Sequence, residues 1–300
     1  MRRYKETKIE VFLKAFRKNY LPNKKDTVKQ CVLKSVFLIL IVTIIGTSVY
    51  FVNYYSQNVH EKNLILQSRT VFEKSTLEKS TEHFLNQNSE YKAWLKLSDT
   101  ELSNPVYQSK DNKFYLNHNQ LKESSNYGAL FFDYRTNLSD KNLVIYGNAA
   151  QDGKMFGVLK NLKNLDFFNK NSVLSLSLNN KTVDYKIFAV FVLNSKAEDD
   201  GGYVYNIFRK EFASLEDFDF WVAEARQRSV VTATTDVLPE DNILTLVTGC
   251  DDFEDARLIV MARSAREDEV LNHTDETATI SKNPKYPKKW YENRNIAYPF

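Results

Sequence analysis

LTLVTGCDDFEDARLIVM, residues 244–261, reads as a strand, a tight connection and a second strand. Thr245 and Val247 flank Leu246 with the β-branched chemistry that strands favour. Gly249 and the aspartates that follow carry turn chemistry, and Leu258–Met261 resumes a continuous apolar run. The unit sets Cys250 at the end of one strand and Arg257 at the start of the next. A permanently charged guanidinium beside a thiol lowers the thiol pKa and stabilises a developing oxyanion. Whether Cys250 is a nucleophile therefore depends on which face of its strand the sulfur takes.

Working outward, further strand candidates are Phe114–Leu116, Ala129–Tyr134, Leu143–Tyr146, Val173–Leu178 and Val183–Leu193, separated by Asn, Asp, Gly and Ser clusters. Together with Ile243–Val247 they predict a mainly β protein, a closed or nearly closed barrel. One helix interrupts the strands. Ser214 followed by Asp217 resembles a capping box, and Leu215, Phe218, Trp221, Val222 and Ala225 share one face, as packing on a barrel requires. The segment 142–159, NLVIYGNAAQDGKMFGVL, holds three of the eight glycines in the chain, Gly147, Gly153 and Gly157.

The N-terminal third has a different character. Residues 36–52 carry no charge, and extension to Tyr55 gives about 20 residues, the length of a membrane-crossing helix. Residues 1–35 sum to +8 against an overall +3, so the remainder sums to −5. This bias predicts a cytoplasmic N-terminus and an extracellular remainder. A cleaved signal peptide competes with that reading, but its apolar region is shorter and ends at small residues, whereas Tyr50, Phe51, Tyr54 and Tyr55 close this one. The expected organisation is a basic arm over 1–35, a transmembrane signal anchor over 36–55, and linking helices over 56–89. A barrel domain over 90–265 follows, then a tail over 266–300 whose prolines and aromatics predict packing on the domain.

That topology separates Cys31 from Cys250, so no intrachain disulfide is expected. The basicity lies in the arm, where lipid head groups account for it, and no nucleic-acid partner is expected. His60, His83, His118 and His273 lack metal-ligand spacing, and no metal or cofactor is expected. Asp199–Asp200 and Asp251–Asp252 read as solvated loops, and His118 as structural.

Several blocks, in order, carry a family resemblance: NSEYKAWLKL with NPVYQSKDNKFYLNHN, SNYGALFFDYR, NLVIYG followed by DGKMFG, SLEDFDFW, and LTLVT with DFEDAR. Over about residues 88–262 the chain is similar to the class B sortases, membrane-anchored cysteine transpeptidases of Gram-positive bacteria. The resemblance implies an eight-stranded sortase barrel with flanking helices after a transmembrane helix, and a Cys–His–Arg site. In such a site the Cys attacks a backbone carbonyl of a C-terminal sorting signal, the His protonates the leaving amine, and the Arg supports the oxyanion. A cell-wall precursor or pilin amine then resolves the thioacyl enzyme. The implied partners are a sorting-signal peptide of a secreted surface protein and that amine.

Two of the three positions depart from the pattern. Where the family reads Tyr-Gly-His, this chain has Tyr146-Gly147-Asn148, and where the family has its Cys after Thr248, this chain has Gly249, with Cys250 one place late. An amide cannot hand a proton to a leaving amine. A one-residue shift on a strand turns a side chain to the opposite face unless a bulge intervenes. Two readings follow. In one, a Gly249 bulge turns Cys250 inward and a transpeptidase results. In the other, the chain is a catalytically inactive pseudo-sortase, by natural loss or by design, that binds sorting signals near Arg257 or serves assembly.

Overall fold

A computed structural model describes residues 7–198, 201–267, 269, 271 and 278–300, so Asp199–Asp200 and His273 lie outside the described residues. Three helices lead, α1 (Lys8–Tyr20), α2 (Val28–Lys74) and α3 (Leu77–Gln87), followed by strands β1 (Tyr91–Leu97), β2 (Ser103–Tyr107), β3 (Leu130–Phe132) and β4 (Asn142–Tyr146). Then come α4 (Leu165–Lys170), β5 (Val173–Leu178), β6 (Lys181–Asn194), α5 (Leu215–Arg228), β7 (Val231–Thr232), β8 (Ile243–Gly249), β9 (Ala256–Ser264), β10 (Thr279–Ile280) and α6 (Lys288–Glu292).

The chain divides into two compact units, Met1–Lys62 and Asn63–Phe300. In the first, α2 supplies one N-terminal helix long and apolar enough to cross a membrane. In the second, eight strands close a barrel in the order β1-β2-β3-β4-β8-β9-β6-β5. The β2–β3 and β4–β8 pairs are parallel and the other barrel pairs antiparallel. This is an eight-stranded mixed barrel of the expected class.

Strand alternation sorts the side chains into two sets. Leu130, Ile145, Leu246 and Val260 point inward with Phe156 and Leu174. Val144, Val247, Ile259 and Met261 point outward and are covered by Phe218, Trp221, Val222 and Ala225 of α5. Ser214 caps α5 by accepting from the Asp217 amide, while the Asp217 carboxylate accepts from the Ala213 amide instead of completing a capping box. Leu215 is exposed, because the first turn of α5 overhangs the sheet.

Two expectations change. Phe114–Leu116 is a 3-10 helix, started by the Asp111 carboxylate, which accepts from the Lys113 and Phe114 amides and turns the backbone away from extension. β1 and β2 are strands that alternation did not reveal.

One buried charge network braces the barrel end. Arg263 is 0% exposed and pairs with Glu269, Asp236 and Asp241, while Arg266 bridges the same two aspartates. Arg263→Met removes several charge-assisted hydrogen bonds while Arg266 keeps both aspartates paired, so it is expected to cost about 1–3 kcal/mol, measured by urea denaturation followed through tryptophan fluorescence. The Arg263 hydrogen bond holds the Glu269 carboxyl at about 2. Its folded pKa lies below the unfolded value of about 4.3, so this contribution is full above that pH and is lost as pH falls toward 2.

Candidate active site

The ends of β4, β8 and the start of β9 meet at one rim of the barrel. Tyr146 pairs with Val247 in parallel register, and Gly249 pairs with Arg257 in antiparallel register. Asn148 lies two residues beyond the end of β4 and lines the same cleft as Gly249. Even positions on β4 and odd positions on β8 and β9 belong to the outward set, as Val144, Val247 and Ile259 show. Gly249 and Arg257 therefore share the outer face. A Cβ built on Gly249 meets nothing within 4 Å, so this position opens onto free space.

Cys250 belongs to the other set. Its amide donates to the Ala256 carbonyl at 3.3 Å, which continues the β8–β9 ladder without a register shift. The bulge at Gly249 that would turn the thiol toward the outer face is not formed. Cys250 instead packs against the inward core and against the small cluster of Val192, Phe253 and Ala256, on which Tyr286 and Trp290 also pack. Burial pushes its thiol up to about 12, and the neighbouring Asp252 carboxylate adds to the rise. Such a thiol is neutral at physiological pH.

Around these positions lies a cleft of about 930 Å³ bordered by Asn148, Gln151, Lys160, Gly249, Cys250, Arg257 and Arg294, among others. No histidine borders it among the described residues. The Asn148 side-chain amide donates to the Leu116 carbonyl at 2.7 Å. Gly147 turns inward at that strand end, where a Cβ would lie 2.4 Å from Leu130 Cδ2 and 2.8 Å from Phe156 Cδ2, so only glycine fits. Arg257 is half-buried and donates to the Ala256 carbonyl at 2.9 Å. His118 lies outside the cleft lining, stacked on Phe114 at 4.1 Å with its Nδ1 2.8 Å from the Phe114 carbonyl.

Sequence reasoning did not find the cations around the cleft. Lys163 pairs with Asp252 at 2.6 Å, and Arg294 stacks over Trp290 at 4.1 Å while reaching the Asp252 carbonyl. The two contacts to Asp252 are long-range in sequence. The aromatic content of the tail was the one available signal, since Tyr286 and Trp290 stack on each other at 4.1 Å and pack on the cluster of Val192, Phe253 and Ala256 that Cys250 also joins.

The sortase domain family model matches residues 95–265, more than half of the chain. The chain belongs to the sortase family. Within it, Sortase B of Listeria monocytogenes is 35% identical over 181 residues, covering 59% of this chain and 70% of that protein. The crystal structure of a cysteine-to-serine mutant of Clostridium perfringens sortase B superposes with a TM-score of 0.60 at 33% identity, covering 67% of this chain and 96% of that one. Sortase B of Bacillus anthracis, solved in complex with AAEK1, gives a TM-score of 0.62 at 25% identity over 71% of this chain and 100% of that one. The chain is thus a member of the sortase B transpeptidase family, and its barrel is the sortase B barrel. The aromatic tail that packs on the cluster of Phe253 and Ala256 begins beyond the matched residues.

Proposed function

We propose that this chain binds sorting-signal peptides in the cleft beside Arg257 without carrying out cysteine transpeptidation itself, from a position anchored in the membrane by α2. The observation that supports this reading is the composition and register of the site: Asn148, Gly249 and Arg257 line the cleft, and Cys250, though it borders the same cleft, packs on the inward core as a partly buried thiol. In the catalytic pattern of the family, the first two of these positions would be the acid and the nucleophile. An amide and a hydrogen atom stand there, and Arg257 alone keeps the chemistry of its position. A cleft of about 930 Å³ lies at the large end of ligand sites, which span roughly 300–1,000 Å³. Staphylococcus aureus sortase B, of the same fold, has been solved as a substrate complex, and a sortase B has been solved with triglycine. An extended peptide and a short amine are accordingly the ligands to test here.

The test pairs binding with turnover. Fluorescent C-terminal sorting-signal peptides are titrated against the full chain in detergent, and the same mixtures with triglycine are followed by mass spectrometry. Saturable binding that weakens in Arg257→Ala, with no cleavage or ligation product, is the expected result. Loss of a positioned acid–base group costs about 10²–10⁴-fold in rate, and loss of the nucleophile costs more. Turnover that vanishes in Cys250→Ala would refute the reading, and absence of binding by every peptide would leave the assembly role as the better account.

A further inference from the structure

We infer that α1 is an interfacial helix that lies on an anionic bilayer surface and fixes how the chain enters the membrane. This rests on the reading of α2 as an anchor. A full capping box starts α1: Thr7 accepts from the Glu10 amide, and the Glu10 carboxylate accepts from the Thr7 amide at 2.8 Å. Ile9, Phe12, Leu13, Phe16 and Tyr20 recur at helical spacing and form one stripe. The opposite face carries Lys14, Arg17 and Lys18. None of the helix is buried, and Ile9, Phe12 and Leu13 are more than half exposed. An apolar stripe of this size left in water is costly, and a basic opposite face selects an anionic surface.

Two further observations argue for a bilayer over a protein partner. The stripe continues into the apolar span, since Phe12, Phe16, Tyr20 and Phe37 stack in sequence at centroid distances of 6.4, 5.2 and 5.2 Å. Phe37 stands near the start of the uncharged run, so the stripe meets α2 at the level where hydrocarbon begins. The elbow is also held. Lys34 donates to the Lys18 carbonyl at 3.2 Å, to the Leu21 carbonyl at 3.4 Å and to Asp26 at 2.9 Å, capping α1 from the first turns of α2. A surface that is continuous with the span, basic on its far face and braced at a fixed elbow fits acyl chains below and anionic head groups around it.

Hydrogen exchange of the full chain in nanodiscs, one copy per disc, tests this. Discs of phosphatidylcholine alone are compared with discs containing phosphatidylserine. Amides of 8–20 are expected to exchange about tenfold more slowly in the anionic discs, with the difference shrinking as salt rises. In Phe12→Glu/Phe16→Glu that protection is lost, while amides of 36–55 stay protected. Equal exchange of 8–20 in both discs, or protection that needs two copies per disc, overturns the proposal. Unprotected amides at 36–55 would instead overturn the anchor reading, so the two failures are told apart within one experiment.

Discussion

Asn148→His combined with Gly249→Cys is expected to give this chain transpeptidase activity that neither change gives alone. A Cβ at position 249 enters open space, so the thiol is admitted without displacing a neighbour. It projects from the face that Arg257 shares, directly across the ladder, and Asn148, two residues beyond the end of β4, lines the same cleft. An imidazole at position 148 can donate one ring N–H to the Leu116 carbonyl, which now accepts from the Asn148 amide. That bond would fix the ring and leave the other nitrogen for the thiol. A thiol and an imidazole act as a unit, so their effects are far from additive. The double variant should exceed either single variant by roughly 10²–10⁴-fold, the usual worth of a positioned acid–base group. Mass spectrometry of the thioacyl enzyme is the readout. Cys250→Ala in the double background should change nothing, whereas Arg257→Ala should abolish the gain. Activity in Asn148→His alone that requires Cys250 would show that the native thiol reaches the cleft.

Much of this site was legible in the sequence because it is a matter of parity. The period of a strand is two, so the one-residue displacement of Cys250 predicts a change of face, and Cys250 packs, partly buried, against the inward core while also bordering the cleft. The later strands were legible for the same reason: β5 and β6 carry long β-branched and apolar runs between turn residues. β1 was not, because Tyr91 and Trp94 are covered on the outer face by Phe84 and Phe72, and burial on both faces erases the alternation. β2 hides behind Pro105, which pairs opposite Trp94 before β3 joins the ladder, a place where a missing amide costs no second bond. The cover over the Cys250 loop was hinted at only by the aromatic content of the tail. Trp290 and Lys163 approach the Cys250 loop through tertiary contacts that no local period encodes.

That cover sets the second large effect. Cys250 is expected to react with iodoacetamide roughly three orders of magnitude more slowly than an unhindered cysteine at pH 7.5, since only thiolate reacts and a free thiol has a pKa of about 8.5. Burial and the Asp252 charge raise the Cys250 thiol to about 12, so its thiolate fraction at that pH is very small. Peptide-resolved mass spectrometry separates Cys250 from Cys31, and unfolding in guanidinium should bring Cys250 to the ordinary rate. In the folded chain the rate should climb about tenfold per pH unit from 7 to 10 with no plateau, because the thiol titrates above that range. Trp290 packs on the same Val192, Phe253 and Ala256 cluster as Cys250, so Trp290→Ala loosens that cluster and should speed alkylation. The same shift is linked to stability. The folded pKa lies above the unfolded value, so the contribution is full below about pH 8.5 and is lost as pH rises toward 12. A catalytic thiol would behave in the opposite way, with rapid alkylation that levels off near neutral pH. Finding that profile at Cys250 would mean that the ladder opens at Gly249 in solution and that the native chain holds its nucleophile after all.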